Sequence, residues 1–146
     1  VANTDANIRG TVSRAMIFTD EQKIVKTLDF ALSDHVSPAN AITNVYQGIS
    51  GLDDQTIFYA WLDKNFDALS KKMPAYHIAS MPEYFSTSCN AGNIKLAEKF
   101  YADKKANFEG MARSYDIAID SAKQCLSLKQ ANQVNFNRYL KVATED

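Results

Sequence analysis

Ser33, Asp34 and His35 stand side by side in this chain, and they are the three side-chain types of a hydrolase triad. In such a triad the nucleophile, its base and the group orienting the base must converge within hydrogen-bond reach. Consecutive residues on a helix point about 100° apart, and on a strand they alternate sides, so three neighbours do not converge. The surrounding stretch LDFALSDHVSPAN offers a simpler explanation. An apolar stripe ends at Leu32, the polar trio forms the last turn, and Ser37-Pro38 opens the next helix. Ser37 is an N-cap type, and proline suits the first helical position because its missing N–H has no partner there anyway. A protonated histidine is also favoured at the negative end of a helix. The trio is therefore read as a helix end, and no catalytic residue is expected.

The chain's other histidine, His77, sits between Tyr76 and Ile78 with Ser80 and Met81 one turn on. A zinc site needs at least three convergent ligands, so His77 is expected to be a partly buried structural residue and no metal ligand is assigned. Cys89 and Cys125 share no C-x-x-C spacing and have no histidine nearby, so both are read as packing or surface residues rather than metal, redox or disulfide partners. The sequence holds no H-E-x-x-H, phosphate-binding loop, dinucleotide fingerprint or EF-hand loop. Gly48-Ile49-Ser50-Gly51 is expected to be a turn between helices. Arg113, Asp116 and Asp120 share one flank of a long helix. They fit an intrahelical charge ladder worth a few tenths of a kcal/mol, or a contact to a ligand on a concave surface. Arg113 is the one candidate for substrate binding.

Composition bounds what such residues can serve. The 146 residues make one domain, with 46% hydrophobic and 23% charged side chains. The 16 basic and 17 acidic residues leave a net charge of -1 and form no blocks, which argues against a nucleic-acid partner. No apolar run is long enough for a membrane span. VANTDANIRG lacks the apolar core of a signal peptide, and Val1 reads as a processing point or an artificial boundary. Any targeting segment would lie upstream of Val1. The compartment is left open between cytoplasmic and periplasmic or secreted.

The elements that must position these residues are helices. Only 5 glycines and 3 prolines interrupt the chain, and apolar residues recur at three- and four-residue steps. One helix is expected before Thr19, through Ile8, Val12, Ala15 and Met16. Thr19 to Gln22 is a capping-box pattern ahead of a stripe of Ile24, Val25, Leu28, Ala31 and Leu32. Ile42, Val45, Tyr46 and Ile49 follow, and Gly48 and Gly51 then flank a break. Asp53 or Asp54 caps a helix that buries Phe58, Trp61, Leu62, Phe66 and Leu69, carries Lys71-Lys72 at its negative end and stops at Pro74. Ala75 to Thr87 is expected to kink or to form two short pieces, with a second capping box at Ser80-Glu83. A short helix from Asn93 to Ala102 follows. A long stripe then runs through Phe108, Met111, Tyr115, Ala118, Ala122 and Cys125. A last helix from Asn132 to about Thr144 is expected to bury Val134, Phe136, Tyr139 and Leu140. The expectation is an all-α domain spanning 1–146, an α-solenoid of about seven or eight antiparallel helices in HEAT-like pairs.

Two of these stretches carry a family resemblance. LDFALSDHVSPANAITNVYQGISG, followed by AWLDKNFDALSKK, resembles the C-terminal helical domain of zinc aminopeptidases of the aminopeptidase N and puromycin-sensitive type. In that family a segment of the form LdyALS-x-V leads through a helix and a Gly-containing turn to aW-x-fl-x-x-nWd-x-L. Leu28, Ala31, Leu32, Ser33 and Val36 stand in the first part, and Ala60, Trp61, Leu62, Asn65, Asp67 and Leu69 in the second. YFSTSCNAGNIKLAEKFY is similar to the family's short Phe-Thr turn and following helix. Arg113 with Asp120 resembles an Arg–acid pair in its penultimate long helix. The likeness covers about Lys26 to Leu140. It departs at Ala39-Asn40, where the family commonly has Gln-Asp, and at Phe66, which replaces a second Trp.

The resemblance implies a non-catalytic cap that covers an active site and shapes a peptide-substrate chamber. Its partners would be an upstream catalytic domain of the same polypeptide and the peptide substrate. Zinc would belong to that parent enzyme and no cofactor to this chain, because the family's catalytic motifs are not in these residues. The alternative is a freestanding helical-repeat module that binds a protein or peptide.

Overall fold

The computed structural model describes residues 21–50, 52–85 and 88–143. The expected helix before Thr19 and the capping residue Thr19 lie outside them. Among the described residues the chain is all-α, with six α-helices, one 3₁₀ turn and no strand.

Helix α1 (Glu21–Leu32) forms where the first stripe predicts it, with Ile24, Leu28 and Ala31 buried. It ends because Ser33 turns back on it: the Ser33 amide and hydroxyl both donate to the Phe30 carbonyl, at 3.0 and 2.8 Å. Val36 N–H then closes onto the Ser33 carbonyl at 3.1 Å. Helix α2 (Pro38–Ser50) begins at the expected cap, with Ser37 Oγ accepting from the Asn40 amide at 3.3 Å. Ala41, Val45 and Ile49 point inward, whereas Tyr46 is 50% exposed. Gly48 is not the edge of a break. It lies within α2 against α1, and a Cβ there would meet Leu28 Cδ2 at 2.6 Å, so the missing side chain sets how closely the two helices approach.

Helix α3 (Thr56–Lys72) is set by Asp54, whose carboxylate accepts from both the amide and the hydroxyl of Thr56. All five predicted inward residues are buried, together with Tyr59. Two polar contacts fasten α3 to α1. Trp61 Nε1 donates to Asp29 at 2.8 Å, and Lys72 Nζ donates to the Ser33 carbonyl at 2.7 Å. Helices α1, α2 and α3 thus pack as one group.

Pro74 ends α3, and the next stretch divides into α4 (Ala75–Ser80) and a 3₁₀ turn (Met81–Phe85), the two short pieces expected. The second capping box does not form. Ser80 Oγ donates to the His77 carbonyl, and Glu83 accepts from Ser114 Oγ on a distant helix. Helix α5 (Ala91–Tyr101) starts two residues before the expected Asn93, because Asn90 caps it by accepting from the amides of Gly92 and Asn93.

The largest departure is α6 (Met111–Ala143), one helix of 33 residues where two were expected. Gly110, with φ +84°, makes the left-handed turn that launches it. Beyond Gly110 the chain has neither glycine nor proline, so nothing in the sequence stops the helix near Asn132. Met111, Ala118 and Ala122 are fully buried against α4, α5 and the 3₁₀ turn. From Ser127 to Tyr139 every residue is exposed, including Val134, Phe136 and Tyr139, which were expected in a core. Their spacing marks a helix face, but none of the described chain packs on it.

The core joins both groups through aromatic rings. Phe66, Phe100 and Phe108 meet edge to face, Tyr59 adds to Phe100, and Tyr101 lies between Phe100 and Tyr115.

Candidate functional site

The residues that first suggested chemistry do not assemble. Ser33 Oγ is bound to the Phe30 carbonyl, while Asp34 and His35 point to solvent. His77 is half-buried, with its ring 4.1 Å from that of Tyr76. Arg113 lies exposed on the first turn of α6, as do Asp116 and Asp120 further along. The ion pairs among the described residues join Lys104 to Asp63 and Lys123 to Glu98, so the expected ladder from Arg113 does not close. No group of three or more His, Cys, Asp or Glu side chains among the described residues could hold a metal ion.

The cysteines require a correction. Cys89 and Cys125 form a disulfide, with Cα atoms 5.1 Å apart across 36 residues of sequence. Cys125 lies on the stripe of α6 that faces the body, and Cys89 lies in the segment leading into α5. The partnership depends on how α6 crosses the body and not on local spacing. It fixes the segment before α5 to the middle of α6.

Beside this bridge lies a cavity of about 500 Å³. Asn93, buried at the start of α5, holds its walls in register. Its Oδ1 accepts from the Gln55 amide at 3.0 Å, and its Nδ2 donates to the Asp53 carbonyl at 3.0 Å and to Ser88 Oγ at 3.2 Å. Asn90 adds a second bond to the Asp53 carbonyl. The α2–α3 loop is thereby tied to the entry of α5, and the disulfide ties that entry to α6.

The lining is mixed. Tyr46 and Tyr84 meet edge to face with centroids 5.6 Å apart, and Ile49 and Leu52 add apolar surface. Burial, and secondarily the neighbouring Glu83 carboxylate, pushes the Tyr84 phenol well above the ordinary tyrosine range, so it stays a neutral hydroxyl. Gln55 is buried and its Oε1 has no hydrogen-bond partner. Asp53, from the α2–α3 loop, and Lys129, from α6, bring opposite charges to the same cavity. Such a space, part aromatic and part polar, has the character of a small-ligand site.

Of the lining residues, the sequence singled out Asp53 as a helix cap, Asn93 as a helix start, Cys89 as a packing or surface residue, Tyr46 as core and Ile49 as core or turn. Lys129 carried no signal, because its place depends on α6 running on without a break. Arg113 does not line this cavity. The fold and site define an all-helical, disulfide-closed body with a polar cavity at the closure. No protein-family model, curated protein or solved structure matches the chain.

Proposed function

We propose that this chain is the non-catalytic C-terminal cap of a zinc aminopeptidase, built as an α-solenoid of HEAT-like helix pairs. In that role it would cover the active site of an upstream catalytic domain and line the peptide chamber. The observation that carries this reading is where the resembling residues fall. Leu28, Ala31, Val36, Trp61, Leu62 and Leu69 are all buried, on or just beyond α1 and on α3, two helices that pack on each other, whereas Ala60 and Asp67 are exposed. A likeness that falls mostly on packing residues supports a shared helical scaffold rather than shared chemistry. Zinc and the bond-breaking groups would belong to the upstream domain, and Arg113 is the first side chain to test for contact with peptide.

A cap of this kind acts on how substrates are held, so its effect grows with the length of substrate that can reach it. The test compares kcat/KM for a dipeptide-sized and a decapeptide-sized substrate on the longer polypeptide, with and without residues 1–146. The decapeptide value should change by a larger factor, and Arg113→Ala should affect only the long substrate. Equal factors for both substrates would reduce the domain to a stabiliser of the catalytic part.

A second reading, a freestanding module that grips a protein or peptide, is favoured by the exposed Leu128, Val134, Phe136 and Tyr139 on α6. A reading frame that starts near Val1, with no H-E-x-x-H upstream, would select it.

A further inference from the structure

The geometry points to a ligand for the cavity beside the disulfide: a zwitterionic amino acid or short peptide, its ammonium group at Asp53 and its carboxylate at Lys129. The inference does not depend on the aminopeptidase reading, because it concerns what this chain binds by itself.

Charge carries the argument. Asp53 and Lys129 line one cavity from opposite elements, the α2–α3 loop and α6, yet the ion pairs among the described residues include neither. Both side chains are exposed and hydrated in the free chain, and a simple anion or cation would pair with only one of them. A zwitterion meets both and carries no net charge into the site.

The remaining walls suit the rest of such a molecule. The rings of Tyr46 and Tyr84, with Ile49 and Leu52, form a surface for an apolar or aromatic side chain, and a ring face also attracts an ammonium group. The volume of about 500 Å³ exceeds what one small amino acid fills and lies in the range of small-ligand sites. The walls are already positioned. Asn93 and Asn90 fasten the Asp53 backbone, and the disulfide fastens the opposite rim, so binding orders few protein groups.

The test is isothermal titration of the intact, disulfide-bonded chain with the dipeptide Ala-Phe, N-acetyl-Ala-Phe and Ala-Phe amide. Each blocked peptide removes one charge. Ala-Phe should bind, and each blocked form should bind about tenfold more weakly or worse, the scale of one lost charge-assisted contact. Asp53→Asn should erase the difference between free and acetylated peptide while preserving the effect of amidation. Lys129→Gln should do the reverse. Both side chains are exposed, so the variants should unfold at the parent's temperature, and that measurement excludes a folding defect. Free alanine and Ala-Ala-Phe extend the series and read the distance between the two charges. Absence of heat with every free peptide at about 10 mM, beyond even a millimolar affinity, would overturn the proposal. So would equal binding of free and blocked peptides, or tighter binding of a neutral sugar than of any zwitterion.

Discussion

Asn93 is a small residue with a large structural task. Its one amide group makes three hydrogen bonds to two separate segments, the α2–α3 loop and the stretch before α5, and it is buried while doing so. A net hydrogen bond contributes about 1 kcal/mol, and a buried donor left without a partner costs about 1–3 kcal/mol. Asn93→Ala strands the Gln55 amide in the interior and frees the Asp53 carbonyl from one of its two donors. The expected loss is about 2–3 kcal/mol, read as a lower urea midpoint with an unchanged slope. A change below about 0.5 kcal/mol would mean that water replaces the amide and that the hub is not structural. In the sequence Asn93 was visible only as the start of a helix. Its partners lie up to 40 residues away, a distance over which side-chain pattern carries no information. Gly48 shows the same limit in reverse. A glycine near a helix end suggests a break, whereas here it admits Leu28 from a neighbouring helix.

At the scale of elements, α1, α2 and α3 were legible from their apolar stripes, together with the stop of α1, the cap of α2 and both ends of α3. Ser37-Pro38 and Lys71-Lys72-Met73-Pro74 mark boundaries that the structure reproduces within a residue or two. In α6 the stripe through Met111, Ala118 and Ala122 is buried as expected, whereas Val134, Phe136 and Tyr139 are not, since periodicity gives the face of a helix but not whether anything covers it. The same crossing of α6 over the body produces the disulfide that local spacing did not reveal. Closing a loop of 36 residues restricts the unfolded chain, which corresponds to about 3–4 kcal/mol in the loop-entropy account. Cys125→Ser should lower stability by that amount, and Cys89→Ser/Cys125→Ser should lower it no further, since both remove one bond. A thiol reductant should bring the parent chain to the same melting temperature and leave the double variant unmoved. Should reductant shift the double variant as well, the stabilisation would lie elsewhere. The bridge persists only under oxidising conditions, so stability should be compared with the disulfide's state known.

Taken as a whole, the body is held together by an aromatic core that includes two buried phenols, Tyr59 and Tyr101. Burial raises the pKa of both; Tyr115 adds to the effect at Tyr59, and Tyr59 and Tyr84 add to it at Tyr101. An unfolded tyrosine loses its proton near pH 10. Above that pH the unfolded chain therefore binds fewer protons than the folded one, and stability falls as pH rises; below it, this contribution is constant. Each tyrosine lowers stability by about 1.4 kcal/mol per pH unit once the unfolded form ionises, so two give about 3 kcal/mol per unit. Against a total stability of about 5–15 kcal/mol, the helices should be lost within a few units above pH 10. The measurement follows helix signal and phenolate absorbance together through an alkaline titration. The phenolates of the buried Tyr59 and Tyr101 should appear only together with the loss of helix. Tyr59→Phe/Tyr101→Phe should make the decline shallower, because phenylalanine has no proton to lose in either state. If all the tyrosines ionise near pH 10 while the helix signal persists, the two phenols are open to water and the core is looser than its packing indicates.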